Sequence, residues 1–381
     1  MSAAWPVVAR LLRTSDPGVV PGGKAGNAFW DCARDHGVTY VVAEQLRASG
    51  YDLKSHCPAI IAETRANLVN NLRIISRLAE ISTKANALGL RMFCFKGPVV
   101  GWQAYGSVAV RGAGDIDLWV ARDEVERMAD LLVELGFRCG SQFRGRDYRE
   151  FHFHLPFSDN EGFEVEVHWA ITRDYAQVPF DFERLWQRRE WLELPGLTLW
   201  GLRAEDHLLV LLVHGARHLW ECLIWVCDIA GMVRRYPGMD WDELLGEAQR
   251  LGCLRMALLG LYLAALLLDA PVPAGLLSRA YSDPVVLSLA RGILTRYDGD
   301  SGDLGALERD WYGWRLRERW RDKARFLVAF PLRDYVDMWE DGELAPMLGS
   351  QPGSRRQGLE GRWSGIKRWF LRLLRRLPSR E

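Results

Sequence analysis

The stretch from Phe93 to Val120 constrains the fold more than any other part of the sequence. It opens with a short apolar run that ends at Lys96-Gly97, where a glycine allows the backbone to turn sharply and to approach a ligand closely. Pro98 follows at a position that suits the first turn of a helix, and a linker then leads to a second apolar run. The stretch therefore predicts a strand, a tight turn, a helix and a second strand.

Two aspartates, Asp115 and Asp117, stand at the start of the second predicted strand. Alternate residues of a strand share a face, so the two carboxylates project together, away from Ile116 and Leu118. Adjacent carboxylates repel each other and lose hydration energy on burial, and a bound cation offsets both costs. Mg²⁺ is the natural candidate because it binds carboxylates together with nucleotide phosphates, and Mn²⁺ is the alternative. The competing interpretation is a solvated strand end that faces water.

The turn and the two aspartates belong to a larger set of segments: Lys96-Gly97, Tyr105, Arg111, Gly114-Asp115-Ile116-Asp117-Leu118 and Val165-Glu166-Val167-His168-Trp169. This set resembles the signature of the uncharacterised nucleotidyltransferase family within the DNA polymerase beta-type superfamily. The superfamily pattern is a Gly-Gly or Gly-Ser turn, then Asp-x-Asp/Glu, then a third carboxylate on another strand. The sequence departs from this pattern at the turn, where Lys96-Gly97-Pro98 replaces Gly-Ser.

The resemblance implies a fold and a third metal ligand. The implied fold is α/β (α+β), a minimal nucleotidyltransferase core with a mixed sheet, flanked by N-terminal and C-terminal α-helical regions. Glu166 is the implied third carboxylate, and Glu164 is the alternative if the register is shifted. Strand periodicity alone places Glu164, Glu166 and His168 on one face, which is either a solvent-facing edge or the wall of a polar site.

Three further histidines have both functional and structural interpretations. His154 matches a family position and either contacts substrate or hydrogen-bonds a neighbouring loop. His214 and His218 have the one-turn spacing of a zinc pair, but the glutamate of His-Glu-x-x-His is missing. The resemblance implies that they line the substrate cleft with Asp228. As an ordinary core residue, Asp228 would instead cap a helix or pair with Arg217 or His218.

Length and composition bound the domain organisation. With 381 residues and 49% hydrophobic content, the chain can bury a substantial core and form two or three structural units. Apolar residues at helical spacing predict helices over 28–49, 60–88, 240–270 and 274–296, and strands are predicted over 137–143 and 149–157. The predicted units are an N-terminal helical region (1–88), the α/β core (89–200), a C-terminal helical domain (201–345), and a hinge with a basic tail helix (346–381).

The tail helix, residues 362–377, carries apolar residues at helical spacing among many arginines. Such a basic amphipathic helix can lie on an anionic membrane surface, dock on a partner or bind a nucleic acid, or it can simply pack on its own domain. The net charge of the whole chain is zero, which argues against a general nucleic-acid-binding surface.

The cysteines and the apolar segments indicate a compartment. Seven cysteines without a C-x-x-C pair argue against a disulfide framework, and a reducing cytoplasm fits them best. The N-terminus lacks the apolar segment of a signal peptide, and the apolar run at 254–268 is too short to span a membrane. We therefore expect a cytoplasmic protein, peripheral at the membrane if the tail helix docks there.

The combined hypothesis is a metal-dependent nucleotidyltransferase that moves a nucleoside monophosphate from an NTP donor to a hydroxyl acceptor. Asp115 and Asp117 would hold the metal, and Glu166 would complete a second metal position and accept a proton. Lys96 and Arg111 would neutralise the phosphates, helped by the N–H group of Gly97. The alternatives are an Asp-x-Asp glycosyltransferase that uses a nucleotide sugar and a degenerate nucleotide-binding or recruitment protein. The acceptor, a small molecule, peptide or protein, stays open.

Overall fold

The computed structural model describes residues 4–14, 16, 18, 20, 23–140, 152–171, 178–297 and 305–326. Four helices come first: α1 (Trp5–Thr14), α2 (Gly23–Asp35), α3 (Thr39–Ala48) and α4 (Leu53–His56). The helical stretch predicted over 28–49 is thus divided into two helices. The division lies at Gly37, whose positive φ of 68° is incompatible with a continuous α-helix.

A long helix, α5 (Pro58–Ala87), carries the chain to the sheet. Its apolar face buries Ile75, Leu78 and Ile81, as the helical spacing predicted. Gly89 follows with a φ of 65° and ends the helix in the manner of a C-terminal cap, which confirms the predicted break before the first strand.

Four short strands form a mixed sheet: β1 (Met92–Cys94), β2 (Ile116–Val120), β3 (His154–Ser158) and β4 (Glu164–His168). The spatial order is β1-β2-β4-β3, with β2 and β4 parallel and the two outer pairs antiparallel. Helix α6 (Pro98–Tyr105) connects β1 to β2, and α7 (Val125–Glu134) follows β2. Gly162 turns the chain between β3 and β4 with a φ of 83°.

Helices dominate the remainder of the chain. A hairpin of β5 (Glu190–Leu194) and β6 (Leu197–Gly201) follows the short helix α8 (Phe182–Gln187). The later helices are α9 (Ala204–Arg217), α10 (Leu223–Arg235), α11 (Trp241–Leu251), α12 (Leu254–Leu268), α13 (Ala274–Ser282), α14 (Pro284–Tyr297) and α15 (Ala306–Leu316). The helices predicted over 240–270 and 274–296 are therefore two helices each. Gly252, in the left-handed conformation, ends α11, and the Asp283 carboxylate accepts the Val285 N–H where α14 begins.

The buried side chains form two clusters. One packs helices from the start of the chain against α9 to α14, and the other packs the sheet against α5 and α7. Trp220 is fully buried in the first cluster, where Gly215 and Gly260 leave room for its ring. A Cβ atom would lie 2.4 Å from the ring at Gly215 and 2.7 Å from it at Gly260. This close packing fixes α9, which contains His207 and His214 and ends just before His218.

The fold class predicted from the sequence is confirmed, because helices flank a small mixed sheet. Residues 141–151 and the predicted tail helix over 362–377 lie outside the described residues. The described part of the strand predicted over 137–143 makes one β-bridge, from Arg138 to Ser158. The predicted domain boundaries remain a prediction. In the part of the chain that is described, no helix combines the length and apolarity needed to cross a membrane.

Candidate active site

Three carboxylates meet at one edge of the mixed sheet. Asp117 in β2 lies directly opposite Glu166 in the parallel strand β4, and Asp115 lies just before β2 on the same face as Asp117. One oxygen atom from each of the three residues lies within 4.8 Å of the others. The register of one parallel strand pair therefore brings together residues that are about fifty positions apart in the chain.

Asp117 is the most deeply buried of the three carboxylates, with 1% of its surface exposed. Its Oδ1 atom lies 2.7 Å from Lys96 Nζ and 2.9 Å from His168 Nε2. Burial favours the neutral acid, but the His168 hydrogen bond and the Lys96 charge outweigh it and lower the pKa of Asp117. Its buried Oδ2 atom has no hydrogen-bond partner among the described residues, so an acceptor position is available for a cation.

The pKa values of Glu166 and Asp115 are shifted in opposite directions. Burial alone would raise the pKa of Glu166, but the His168 hydrogen bond and the nearby His154 outweigh it and lower that pKa. Burial and the adjacent Asp117 charge raise the pKa of Asp115 to about 6. The apo site thus holds a carboxylate whose charge is poorly compensated, which is typical of a site that gains a cation.

The Asp115→Asn variant is expected to be more stable than the wild type by about 1–2 kcal/mol near pH 8 in EDTA. The pKa of Asp115 in the folded protein, about 6, lies above its usual 3.8, so the folded state retains this proton after the unfolded state has lost it. Wild-type stability should therefore fall relative to that of the variant as pH rises from about 4 through 6. Urea denaturation of both proteins at several pH values measures this gap. A gap that is independent of pH contradicts the prediction.

The turn after β1 brings Lys96 to the carboxylates. Gly97 has a φ of 58° and a ψ of −135°, which side chains other than hydrogen rarely allow, and Pro98 then opens α6. A Cβ atom at Gly97 would lie 3.2 Å from Cβ of Ala113, so the turn packs closely on the linker that leads to Asp115. The conformation therefore favours glycine here, and an added Cβ atom would also require a small shift of Ala113.

Arg111 forms a buried polar group with Asp228 and Tyr105. The Arg111 Nε–H group donates to Asp228 Oδ2 at 2.9 Å, and the Tyr105 hydroxyl donates to Asp228 Oδ1 at 2.9 Å. Burial raises the pKa of Asp228, an effect that the Arg111 guanidinium opposes. The close approach of α6 to α10 makes the contact feasible, because a Cβ atom at Gly231 would lie only 2.8 Å from the Ala104 carbonyl oxygen. Asp228 thus pairs with Arg111, rather than with Arg217 or His218.

His214 lies in the last turn of α9 and His218 follows directly after this helix, with ring centroids separated by 4.5 Å. Trp225 of α10 packs against both rings. Burial is the main reason that their pKa values are lowered, that of His218 to about 3, and the charge of Lys96 adds to the effect. Both imidazoles are therefore neutral at neutral pH.

The sequence predictions missed the residues that hold the site in place. Three asparagines of α5 donate side-chain N–H groups to the loop before Asp115: Asn67 to Ala109 O, Asn70 to Ala113 O, and Asn71 to both Val108 O and Arg111 O. His207 lies 2.9 Å from the Phe95 carbonyl oxygen and also bonds Gln103. The available signal was polar residues at helical spacing on otherwise apolar helix faces, such as Asn67, Asn70 and Asn71.

The other predicted cleft residues lie at different distances from the carboxylates. His154 Nε2 lies 3.7 Å from Glu166 Oε1, and the His154 and His168 rings are 5.1 Å apart on facing strands. Glu164, the register-shift alternative, pairs with Ser158 at the exposed start of β4 and is not part of the three-carboxylate group. The observed register therefore brings Glu166, and not Glu164, opposite Asp117.

A comparison with known families gives a match that includes the residues of this site. A family model described as an uncharacterised nucleotidyltransferase matches residues 25–269, which is more than half of the chain. The match spans β1 to β4, the carboxylates and the histidines of α9. A search of curated proteins found no match.

Proposed function

This chain belongs to the uncharacterised nucleotidyltransferase family, and we propose that it transfers a nucleoside monophosphate from a nucleoside triphosphate to a hydroxyl acceptor. The observation that carries the proposal is the convergence of Asp115, Asp117 and Glu166 within 4.8 Å. Three carboxylates with a lysine beside them suit a reaction that depends on positioning and on charge neutralisation.

The donor set fits a hard divalent cation. The three residues offer carboxylate oxygens, and the buried Oδ2 atom of Asp117 has no partner among the described residues. Mg²⁺ is the proposed ion, with Mn²⁺ as the alternative. When bound, such an ion would neutralise triphosphate charge and the charge that develops on the leaving pyrophosphate.

Other residues of the site have separate roles in the proposed reaction. Lys96, whose side chain is 20% exposed, stabilises phosphate oxygens while it remains close to Asp117. Arg111, whose charge is balanced by Asp228, supports the loop before Asp115, and the N–H group of Gly97 would bind phosphate at the start of α6. Glu166, ionised because its pKa is lowered, accepts the proton of the acceptor hydroxyl.

The reaction step is a displacement at the α-phosphorus. The acceptor oxygen forms a bond to this phosphorus as the bond to the bridging oxygen breaks, and pyrophosphate leaves with the electron pair. The hydroxyl proton passes to Glu166. Five further residues are proposed to border or support the cleft in which the acceptor binds: His154, His168, His214, His218 and Asp228. The proposal leaves the acceptor class and any docking through residues 362–377 open.

Calorimetric titration tests the donor half of the proposal without knowledge of the acceptor. Each of the four ribonucleoside triphosphates is titrated with Mg²⁺ and then with EDTA into the wild type, the Asp115→Asn/Asp117→Asn variant and the control Asp130→Asn. Asp130 is an exposed carboxylate on α7. We expect Mg²⁺-dependent binding of at least one triphosphate to the wild type and the control, and a loss of at least about a hundredfold in affinity in the double variant.

The absence of triphosphate binding by a folded wild type would overturn the proposal. Binding of nucleotide sugars in place of triphosphates would instead favour a glycosyltransferase. Equal affinity of the double variant and the wild type would show that the carboxylates do not bind the metal–nucleotide complex.

A further inference from the structure

Beside the three-carboxylate group lies a second group of potential metal ligands with different chemistry. His154 of β3, Glu166 and His168 of β4 offer two imidazole nitrogens and a carboxylate oxygen that all lie within 4.8 Å of one another. We propose that these three residues bind a transition-metal ion of the Zn²⁺ type, at a position that adjoins the proposed Mg²⁺ position and shares Glu166 with it.

The distances between the donor atoms suit such an ion. Two ligands bound at about 2.1 Å to one ion lie about 3.0–3.4 Å apart in octahedral or tetrahedral geometry and never more than about 4.2 Å apart. His168 Nε2 lies 3.0 Å from Glu166 Oε2, and His154 Nε2 lies 3.7 Å from Glu166 Oε1. Both histidine–glutamate separations thus fall within the range of two ligands on one ion, and the donor atoms of His154 and His168 lie within 4.8 Å of each other.

Hydrogen bonding explains the arrangement less completely. His168 Nε2 lies 2.9 Å from Asp117 Oδ1 and 3.0 Å from Glu166 Oε2, and a single N–H group cannot point straight at both oxygens. The separation of 3.7 Å between His154 and Glu166 exceeds hydrogen-bond distance. A metal bound to His168 Nε2 would draw Glu166 and His154 to it as further ligands.

The ligand types select the ion. Mg²⁺ takes oxygen ligands and retains water, whereas imidazole nitrogens suit Zn²⁺, Co²⁺ and related ions. Asp115, like Asp117, belongs to the oxygen group alone, and Glu166 is the residue that the two groups share. The two positions should therefore differ in metal preference and in their dependence on Asp115.

The access and the ligand number indicate how the site could act. His168 is nearly enclosed, with 3% of its side chain exposed, while Glu166 is 30% exposed and gives solvent a route to the ion. His154, Glu166 and His168 supply three protein ligands, as in catalytic rather than structural zinc sites, and the fourth position is open as long as Asp117 Oδ1, which lies 2.9 Å from His168 Nε2, keeps its bond to Lys96. If the proposed function holds, the open position would bind the acceptor hydroxyl; that step rests on the proposed function, whereas the metal binding does not.

Co²⁺ is the probe for this site, because its visible absorption reports imidazole coordination, whereas Mg²⁺ does not absorb visible light. The full chain is stripped of metal with EDTA, dialysed and titrated with Co²⁺, and Zn²⁺ is then added in competition. We expect the wild type to bind one equivalent with a visible band that Zn²⁺ abolishes and excess Mg²⁺ does not.

Four variants assign the ligands. His154→Gln and Glu166→Gln should each weaken Co²⁺ binding by at least about tenfold, whereas Asp115→Asn should change it by less than about threefold. His56→Gln removes an exposed imidazole on α4 and is the matched control, for which we expect no change. Thermal unfolding and circular dichroism of each variant confirm that it is folded.

Two results would overturn the proposal: a wild type that shows no Co²⁺ band, or a folded His154→Gln variant with the wild-type band and affinity. The proposed function is tested separately by triphosphate binding with Mg²⁺. If the protein has a Co²⁺ site that requires His154 but does not bind triphosphate, the metal inference is supported and nucleotidyl transfer is rejected. If the protein binds triphosphate with Mg²⁺ but has no such Co²⁺ site, nucleotidyl transfer is supported and the metal inference is rejected.

Discussion

Replacement of Glu166 by glutamine is expected to lower the rate of pyrophosphate release from the bound triphosphate by about a thousandfold. The amide cannot accept the hydroxyl proton, and it removes one of three carboxylates from the metal-binding group. The lowered pKa of Glu166, which results from the His168 hydrogen bond outweighing burial, keeps this residue ionised in the wild type. The variant should nevertheless bind triphosphate, because Asp115, Asp117 and Lys96 remain.

Single-turnover release of labelled pyrophosphate, with water or a simple alcohol as surrogate acceptor, measures this effect. Glu193→Gln, an exposed substitution on the β5–β6 hairpin, is the control and should retain the wild-type rate. A Glu166→Gln variant that also retains this rate would show that Glu166 is not the base. It would also weaken the case for nucleotidyl transfer relative to a glycosyltransferase, since only the former requires this third carboxylate.

The largest effect on stability is expected for Asp228→Ala, which should lower the free energy of unfolding by about 3–5 kcal/mol. Asp228 is 1% exposed and accepts hydrogen bonds from both Arg111 and Tyr105. Its removal leaves a buried guanidinium without a carboxylate partner, which costs more than the pair itself contributes. Because Arg111 lies in the loop that leads to Asp115, triphosphate binding should also weaken.

Urea denaturation of Asp228→Ala against Asp130→Ala measures the loss, the latter being an exposed aspartate on α7. The double variant Arg111→Met/Asp228→Leu separates the two contributions. It removes both charges, so it should recover a large part of the lost stability without recovering triphosphate binding. If Asp228→Ala costs no more than the control, the buried pair does not hold the loop against α10.

The sequence predicted the features that depend on local pattern. A glycine with positive φ at Gly97, the paired aspartates on one strand face and the helical spacing of α5 are properties of neighbouring residues. They can be inferred because backbone sterics and side-chain periodicity act over a few positions. The mixed sheet and the family followed from these patterns, together with the block around Glu166.

Features that depend on contacts between distant residues were not predictable in the same way. The sequence left Asp228 with several partners, and only the packing of α6 on α10 brings it to Arg111 and Tyr105. The role of Asn67, Asn70 and Asn71 was missed because their acceptors are carbonyl groups about forty residues away.

The sequence by itself thus determined the strand, turn, helix and strand around Lys96 and the residue types of the site. The tertiary structure alone decided which carboxylates lie within 4.8 Å of one another and which histidines lie beside them. The register of β2 on β4 sets Asp117 opposite Glu166, and that of β3 on β4 sets His154 opposite His168. The physical reason is that distance, burial and pKa depend on groups that packing brings together, whereas secondary structure depends mainly on groups adjacent in the chain.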